Sequence, residues 1–417
     1  MRDVVVMGAG LAGLSAAVRC AQAGAKVTLA SKGIGGLQLG QGTIDILGYS
    51  PERVSDPLAA VDGLISTDAG HPYAKLGSER VRSSVEWLRG VLGDDLAVGD
   101  LSRNFQLPTA VGAIRPTALA QPSMLAGELK GGQRYVFVGF TRLKDFYPKL
   151  IADNLNRSRT PEGEAITARA IDIDFEIRPG EYDTTGLNHA RAFDDPKVRA
   201  RLVAAVKPLL EPGEIVGFPA VLGINDVTAW RDIASQLGHD VFEVPLPPPS
   251  VPGMRLNQRL TQLAKDAGVR VIMGSAAVHP VVADASVRSV KIASAGHETE
   301  LVGRHFILAT GGFESGSLEM DSFGQVSERV FGLPLVGLEG PLVHGDYWGA
   351  DQPLFRAGVD VDDQMRPLDA AGSVVYSNLH AVGGLLAGAT RWRDKSGDGI
   401  AVASALAAAD STLGSLS

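Results

Sequence analysis

An α/β fold is expected for this chain: a largely parallel sheet with a second α/β unit inserted into it. Three observations lead there. Residues 1–30 alone spell a complete strand–helix–strand unit with a glycine turn between strand and helix. Further short apolar runs then alternate with helix-period segments, as parallel strands joined by crossover helices require. Glycine is frequent, 50 of 417 residues, while 45% of the chain is hydrophobic and 21% charged. That composition supports a large core and many tight turns.

The elements follow in order. Val4 to Met7 is a β-branched apolar run bounded by glycines, which reads as a buried parallel strand. Leu11 to Ala23 has helical apolar spacing and stops at Gly24, a residue suited to a left-handed helix end. Val27 to Ala30 is the second strand. In the middle, strands are expected at Tyr135 to Val138, Ile215 to Phe218 and Asp240 to Val244, with helices over Asp145 to Asn156 and Val227 to Leu237. Pro245, Pro247, Pro248 and Pro249 end that region, because proline continues neither a helix nor a central strand. An amphipathic helix, Met254 to Ala267, leads into a strand at Val269 to Met273. A hairpin at His279 to Val282 and Val287 to Ile292 precedes the apolar strand Phe306 to Ala309. The stretch Ser158 to Gly186 shows no clear period. The expected organisation is discontinuous: residues 1–50, about 252–312 and 375–417 form one domain, about 51–251 the inserted one, and about 313–374 are unassigned.

Several classes are disfavoured. A net charge of -8 without a basic run argues against nucleic-acid binding. The one cysteine, Cys20, permits no internal disulfide and no four-cysteine iron–sulfur cluster, and its helical setting among alanines makes it a small buried side chain. The eight histidines show no metal-ligand spacing, so no metal site is expected. Arg2 and Asp3, followed by four apolar residues and a glycine turn, do not read as a signal peptide. No unbroken apolar run is long enough to read as a membrane span. A cytoplasmic location is the expectation.

The chemistry-bearing pattern is Gly8-Ala9-Gly10-Leu11-Ala12-Gly13 between first strand and first helix. Gly8 makes the turn, Gly10 lets a phosphate approach without meeting a Cβ, and Gly13 lets the helix pack close to the strand. The uncapped helix end offers N–H groups and partial positive charge, here from Leu11 and Ala12, to an anion. These features define a Rossmann-like, dinucleotide-binding fold. The acid that usually holds a ribose 2′-hydroxyl belongs near position 31, where this chain has Ser31 followed by Lys32. Either the ligand lacks adenosine, as FMN does, or Lys32 meets a 2′-phosphate; Lys32 as an ordinary solvated charge is the plain alternative. The segment Gly33 to Gly42, including Gly35, Gly36 and Gln41, is glycine-dense enough to lie against a flat ring, or else is a mobile surface loop. Thr310 and Gly311 follow the apolar strand that ends near Ala309, a place where flavoproteins bring a strand end beside the cofactor. Gly383, after Asn378 to Val382, and Gly399 with Ile400, opening a helix to Ala409, would complete a flavin site, since a helix N-terminus stabilises the negative charge of reduced flavin. His71, His344 and His380 are candidate proton shuttles, though structural roles suit each of them better.

The opening DVVVMGAGLAGLSAA, HPYAKLG at 71–77, PPSVPGMRLNQRL at 248–260, FILATGGFESG at 306–316 and VFGLPL at 330–335 together resemble the B-type subunit of anaerobic glycerol-3-phosphate dehydrogenase, end to end. The resemblance implies FMN as cofactor, with FAD the alternative; non-covalent binding is expected because Cys20 reads as buried and no histidine is placed for attachment. It implies oxidation of sn-glycerol 3-phosphate to dihydroxyacetone phosphate, with electrons passed toward a quinone. It also implies partners: an FAD-bearing catalytic subunit and an iron–sulfur subunit that would place this chain at the inner face of the cytoplasmic membrane. A non-catalytic relay or assembly role and an independent FAD-dependent oxidoreductase stay open beside that reading. No residue pair stands out as the acid and base of an alcohol oxidation.

Overall fold

The computed structural model describes residues 1–294, 296–346 and 349–416. Its principal strands are β1 (Arg2–Met7), β2 (Val27–Ser31), β3 (Arg134–Phe140), β4 (Thr167–Ile173), β5 (Glu214–Pro219), β6 (Val241–Val244), β7 (Arg270–Met273), β8 (Ala276–Ala283), β9 (Ser286–Ser294), β10 (His297–Leu308) and β11 (Leu379–Ala381). Its principal helices are α1 (Leu11–Gln22), α2 (Pro57–Thr67), α3 (Pro72–Leu76), α4 (Ser78–Leu92), α5 (Pro148–Arg157), α6 (Gly186–Phe193), α7 (Pro196–Val206), α8 (Ala229–Leu237), α9 (Val251–Asp266) and α10 (Gly397–Leu416).

The larger sheet runs β7-β2-β1-β10-β9-β8, with β11 also paired to β10. Strands β7, β2, β1, the second half of β10, and β11 are all parallel. The first half of β10 turns back antiparallel on β9, so this one strand serves both a hairpin and the parallel sheet. In register, Val5 lies beside Phe306 and Thr28, which sets the C-terminal ends of β1, β2 and β10 side by side. That is the edge at which open α/β sheets bind ligands. Val4, Val5, Val6 and Met7 are buried on both faces, as the continuous apolar run requires. Helix α1 packs against both α9 and α10 beside this sheet.

Helix α10 is long and apolar enough, by length and composition, to cross a membrane, although the sequence shows no unbroken apolar run of that length. In the fold it is a core helix. Ile400, Val402, Ala403, Ala405, Ala408 and Ala409 are fully buried, as expected for a helix hydrophobic on all sides.

The smaller sheet runs β6-β5-β3-β4, all parallel, with its own core built around Phe137, Phe140, Phe193, Phe218 and Phe242. Strand β4 falls in the stretch where the sequence shows no period. It is an edge strand with only Ile173 buried, so it has no apolar alternation to display. Residues 51–101, grouped with the middle unit on sequence, put Leu58, Val61, Tyr73, Val81, Val85 and Leu88 into the core of the larger sheet instead. Helix α4 carries its buried residues at helical spacing, Val81, Ser84, Val85, Leu88 and Leu92, a signal present in the sequence. The proline block does lead from one sheet to the other. Ser250 accepts from Gly253 N and caps α9, which therefore starts at Val251 and not at Met254. One turn on, Arg255 forms a buried ion pair with Glu243 of β6, at 2.7 Å, and also binds Gly223 O and Gln121.

Candidate functional site: a cleft at the strand ends

A cleft of about 1030 Å³ opens where β1, β2 and β10 end. Its wall begins with the glycine turn. Gly8 has φ +109°, and a Cβ there would lie 2.2 Å from Ala309 O, so only glycine fits. Gly13 lies behind the wall: its Cβ would meet Gly8 O at 2.0 Å, so it serves helix–strand packing and does not line the cleft. Gly10 is the reverse. Its φ of -78° suits any residue, and a Cβ would have no atom within 4 Å. The space over Gly10 is open cleft, a cradle that a larger side chain would fill. Among the described residues no side chain caps α1, and its first turn has no acid, so the helix end offers its N–H groups to an anion.

From that turn, Ser31 and Lys32 line one side. The Ser31 hydroxyl is tied inward: it accepts from Ala9 N at 3.2 Å and donates to Gly33 O at 2.6 Å. Ser275, Ala276, Ala277 and Val278, joined to Ser31 O through Ser275 N, continue this arm. Gly35, Gly36, Gln41 and Gly42 line the cleft as expected of the glycine-dense loop. Helix α9 clasps that loop. Ser250 N donates to Gln38 O at 2.7 Å and Asn257 Nδ2 to Ile34 O at 2.9 Å, and the close approach of Gly253 to Leu37 O leaves no room for a Cβ. Thr310 and Gly311 form the floor beside Ala309, and the Thr310 hydroxyl oxygen has no partner among the described residues.

At the C-terminal side the lining is shifted by one residue from the sequence expectation. Gly384, Asp398 and Ala401 face the cleft, whereas Gly383, Gly399 and Ile400 lie behind it. Gly383 N donates to Ser404 Oγ at 2.9 Å, Gly399 packs against the Tyr73 hydroxyl, and Ile400 is fully buried. The cause is α10, which starts at Gly397 and so turns Gly399 and Ile400 toward the core. Arg391 holds Gly384 O at 2.6 Å and faces Glu314.

None of the three singled-out histidines lines the cleft. His71 caps α3 through Nδ1, and burial pulls its pKa down to about 4. His380 sits on β11 against Gln364 O with its pKa likewise lowered by burial to about 4. His344 is bonded to Gln352. Cys20 is buried, and burial, with Asp410 adding to it, pushes its thiol up to about 12, so it is chemically inert.

The charged lining residues Asp45, Arg115, Lys395 and Asp398 escaped the sequence reading, as did Glu314, Arg329 and Arg391. Arg115 is ion-paired with Asp45, and Thr117 Oγ1 donates to the same carboxylate at 2.5 Å. Asp398 Oδ2 accepts from Asp45 N at 3.1 Å. Burial, followed by the charge of Asp45, pushes the Asp398 carboxyl up to about 7. Burial, then Arg115, lowers the Lys395 ammonium. Only Asp398, flanked by glycines where a helix opens, carried a local signal.

A glycine turn and an uncapped helix N-terminus in a βαβ unit, opening on a long cleft at the strand ends, define a dinucleotide-binding fold. Residues 3–400 match the FAD binding domain family, and the chain belongs to that family. It is 30% identical to a protein of Halobacterium salinarum named as the probable B-type subunit of anaerobic glycerol-3-phosphate dehydrogenase, over 97% of this chain and 96% of that protein. It is also 30% identical to the corresponding anaerobic glycerol-3-phosphate dehydrogenase subunit of Pectobacterium atrosepticum, over 99% and 98%. The sequence resemblance is thereby borne out. Among solved structures, it is similar to 3-ketosteroid delta1-dehydrogenase from Sterolibacterium denitrificans, with TM-score 0.46, 12% identity and 99% of each chain covered. Similarity to the open conformation of a flavocytochrome c3 fumarate reductase has TM-score 0.44 and 12% identity over 99% of this chain and 78% of that one. The chain is thus a flavin-binding protein of an oxidoreductase family. FMN as the primary cofactor is not supported, since the matching family is one of FAD binding domains.

Proposed function

We propose that this chain is an FAD-bearing subunit of an anaerobic sn-glycerol-3-phosphate dehydrogenase that oxidises glycerol 3-phosphate to dihydroxyacetone phosphate. The observation that carries this reading is the cleft lining, which extends to both sides of the glycine turn and is read here as two arms. One arm runs from the glycine turn along Ser31, Lys32 and Ser275 to Val278; the other reaches Gly384, Trp392 and the start of α10. FMN needs a phosphate cradle and a ring site only, which leaves the arm at Ser31 without an occupant. FAD uses both. The missing acid at position 31 thus marks a different contact to the ribose and not the absence of adenosine.

In this reading the first turn of α1 holds the pyrophosphate, and Gly10 provides its closest approach. The N-terminus of α10 favours negative charge that develops at a reduced ring. Bound flavin supplies the two-electron acceptor. The electrons then leave toward a quinone through partner subunits, because a single cysteine supports no four-cysteine cluster and α10 is committed to the core. One partner carries iron–sulfur centres and holds this chain at the inner face of the cytoplasmic membrane; another carries its own FAD.

The test begins with cofactor mass after denaturing the purified chain. Stoichiometric FAD released by acid is expected; FMN, or flavin retained on the chain, contradicts the reading. Quinone reduction by glycerol 3-phosphate is then compared for the chain alone and with its partners. Full activity from the isolated chain refutes the relay.

A further inference from the structure

The cleft contains a built cluster that phosphate recognition by α1 does not use. Asp45 comes from the loop after β2, Arg115 from the strand Ile114–Thr117, and Lys395 and Asp398 from the turn leading into α10. Both Asp45 oxygens are engaged, one by Arg115 and one by Thr117. Arg115 uses a single Nη2 in this pairing, and its Nη1 makes no hydrogen bond among the described residues. Lys395 sits in a left-handed turn, φ +52°, and makes no ion pair among the described residues. Asp398 has Oδ2 held by Asp45 N, while Oδ1 has no hydrogen bond from the described residues. Two cations with unused donors and one carboxylate with an open oxygen therefore face the same space.

We propose that this cluster is the substrate site: Arg115 and Lys395 hold the anionic group of a small phosphorylated alcohol, and Asp398 accepts the proton of the hydroxyl being oxidised. The proposal rests on the reading of the chain as a flavin-bearing dehydrogenase subunit. In the step, the carbinol C–H bond breaks and a bound oxidised flavin would supply the hydride acceptor. The O–H proton goes to Asp398 Oδ1, and the C–O single bond becomes a carbonyl. Asp45 already pairs one oxygen with Arg115 and the other with Thr117, and takes a different role. It acts as the positioning residue that fixes Arg115 and, through its N–H, Asp398. The groups around Asp398 are Asp45 from the loop, Arg115 from its strand, Lys395 from the turn and Tyr73 of α3, whose hydroxyl is committed to Ile46 O at 2.5 Å. With the carboxyl pushed up to about 7, the ionised acceptor form grows in as pH rises through neutrality.

The experiment uses the flavin-loaded full chain and three readouts: flavin per chain, inorganic phosphate binding by calorimetry, and anaerobic bleaching by sn-glycerol 3-phosphate between pH 6 and 8. Arg115→Met and Lys395→Met should keep flavin and weaken phosphate binding at least tenfold. Lys395 has no ion-pair partner among the described residues, so its variant is the safeguard if loss of Arg115 disturbs folding around Asp45. Asp398→Asn should keep flavin and phosphate binding, bleach at least a hundredfold more slowly, and lose the rise with pH. Wild-type phosphate affinity in both cation variants overturns the proposal. So does Asp398→Asn bleaching at the wild-type rate, or loss of flavin from the cluster variants, which would make the cluster a cofactor contact. A wild-type chain that purifies without flavin fails the parent reading as well. One that holds flavin and binds phosphate yet is never bleached overturns the proton role alone.

Discussion

Substitution of Gly10 by valine separates ligand binding from folding. The backbone at Gly10 is extended, φ -78° and ψ -174°, a region that β-branched residues adopt freely. The added Cβ meets no atom of the described residues within 4 Å. The folding cost is then the poorer helix N-cap, about 1 kcal/mol. The isopropyl group occupies the space through which a phosphate reaches the first turn of α1. Pushing the phosphate outward takes two N–H···O contacts beyond hydrogen-bond distance. At about 1.5–3 kcal/mol per bond to a charged group, the loss is about 3–6 kcal/mol, or roughly 10²–10⁴ in Kd. Flavin released per chain should fall to near zero after gel filtration, while far-ultraviolet circular dichroism and the urea midpoint of the flavin-free protein stay close to wild type. Gly13→Ala makes the contrast, because its Cβ would collide with Gly8 O inside the fold; flavin and stability should be lost together. A folded Gly10→Val protein with full flavin content would refute the phosphate placement.

Three further outcomes follow from the geometry. Arg255→Met strands Glu243, a side chain with no exposure, in the joint between the two sheets; a loss of about 3–5 kcal/mol in urea unfolding is expected, and a change under 1 kcal/mol would contradict it. Ser31→Ala leaves Ala9 N without its acceptor, and the flavin-free protein should lose about 1–3 kcal/mol; an unchanged urea midpoint counts against that bond. Burial holds His71, His189 and His380 down from 6.5 to about 4, so each takes up a proton more readily when unfolded. Their contribution is fully present above about pH 6.5 and is lost as pH falls toward about 4, by at most roughly 3 kcal/mol each; a urea midpoint that stays flat across this window would refute it.

Features that depend on neighbours along the chain were legible in the sequence. The turn at Gly8, the open approach at Gly10 and the close packing at Gly13 follow from steric needs spaced over six residues, and the strand–helix–strand pattern around them is local periodicity. The parallel strands with buried apolar runs, and most of α9, were legible for the same reason. Long-range packing set the rest, and it shows only in three dimensions. Strand β4 lies at an edge and so carries no alternation, and residues 51–101 join the first core although they lie between its segments in the chain. The start of α10 at Gly397 turned Gly399 and Ile400 inward and left Asp398 facing the cleft. Asp45, Arg115 and Lys395 carry no shared pattern along the chain. They meet because the loop after β2, the strand at Ile114–Thr117 and the turn before α10 converge on one wall, and charge complementarity between such distant segments has no local periodicity to betray it.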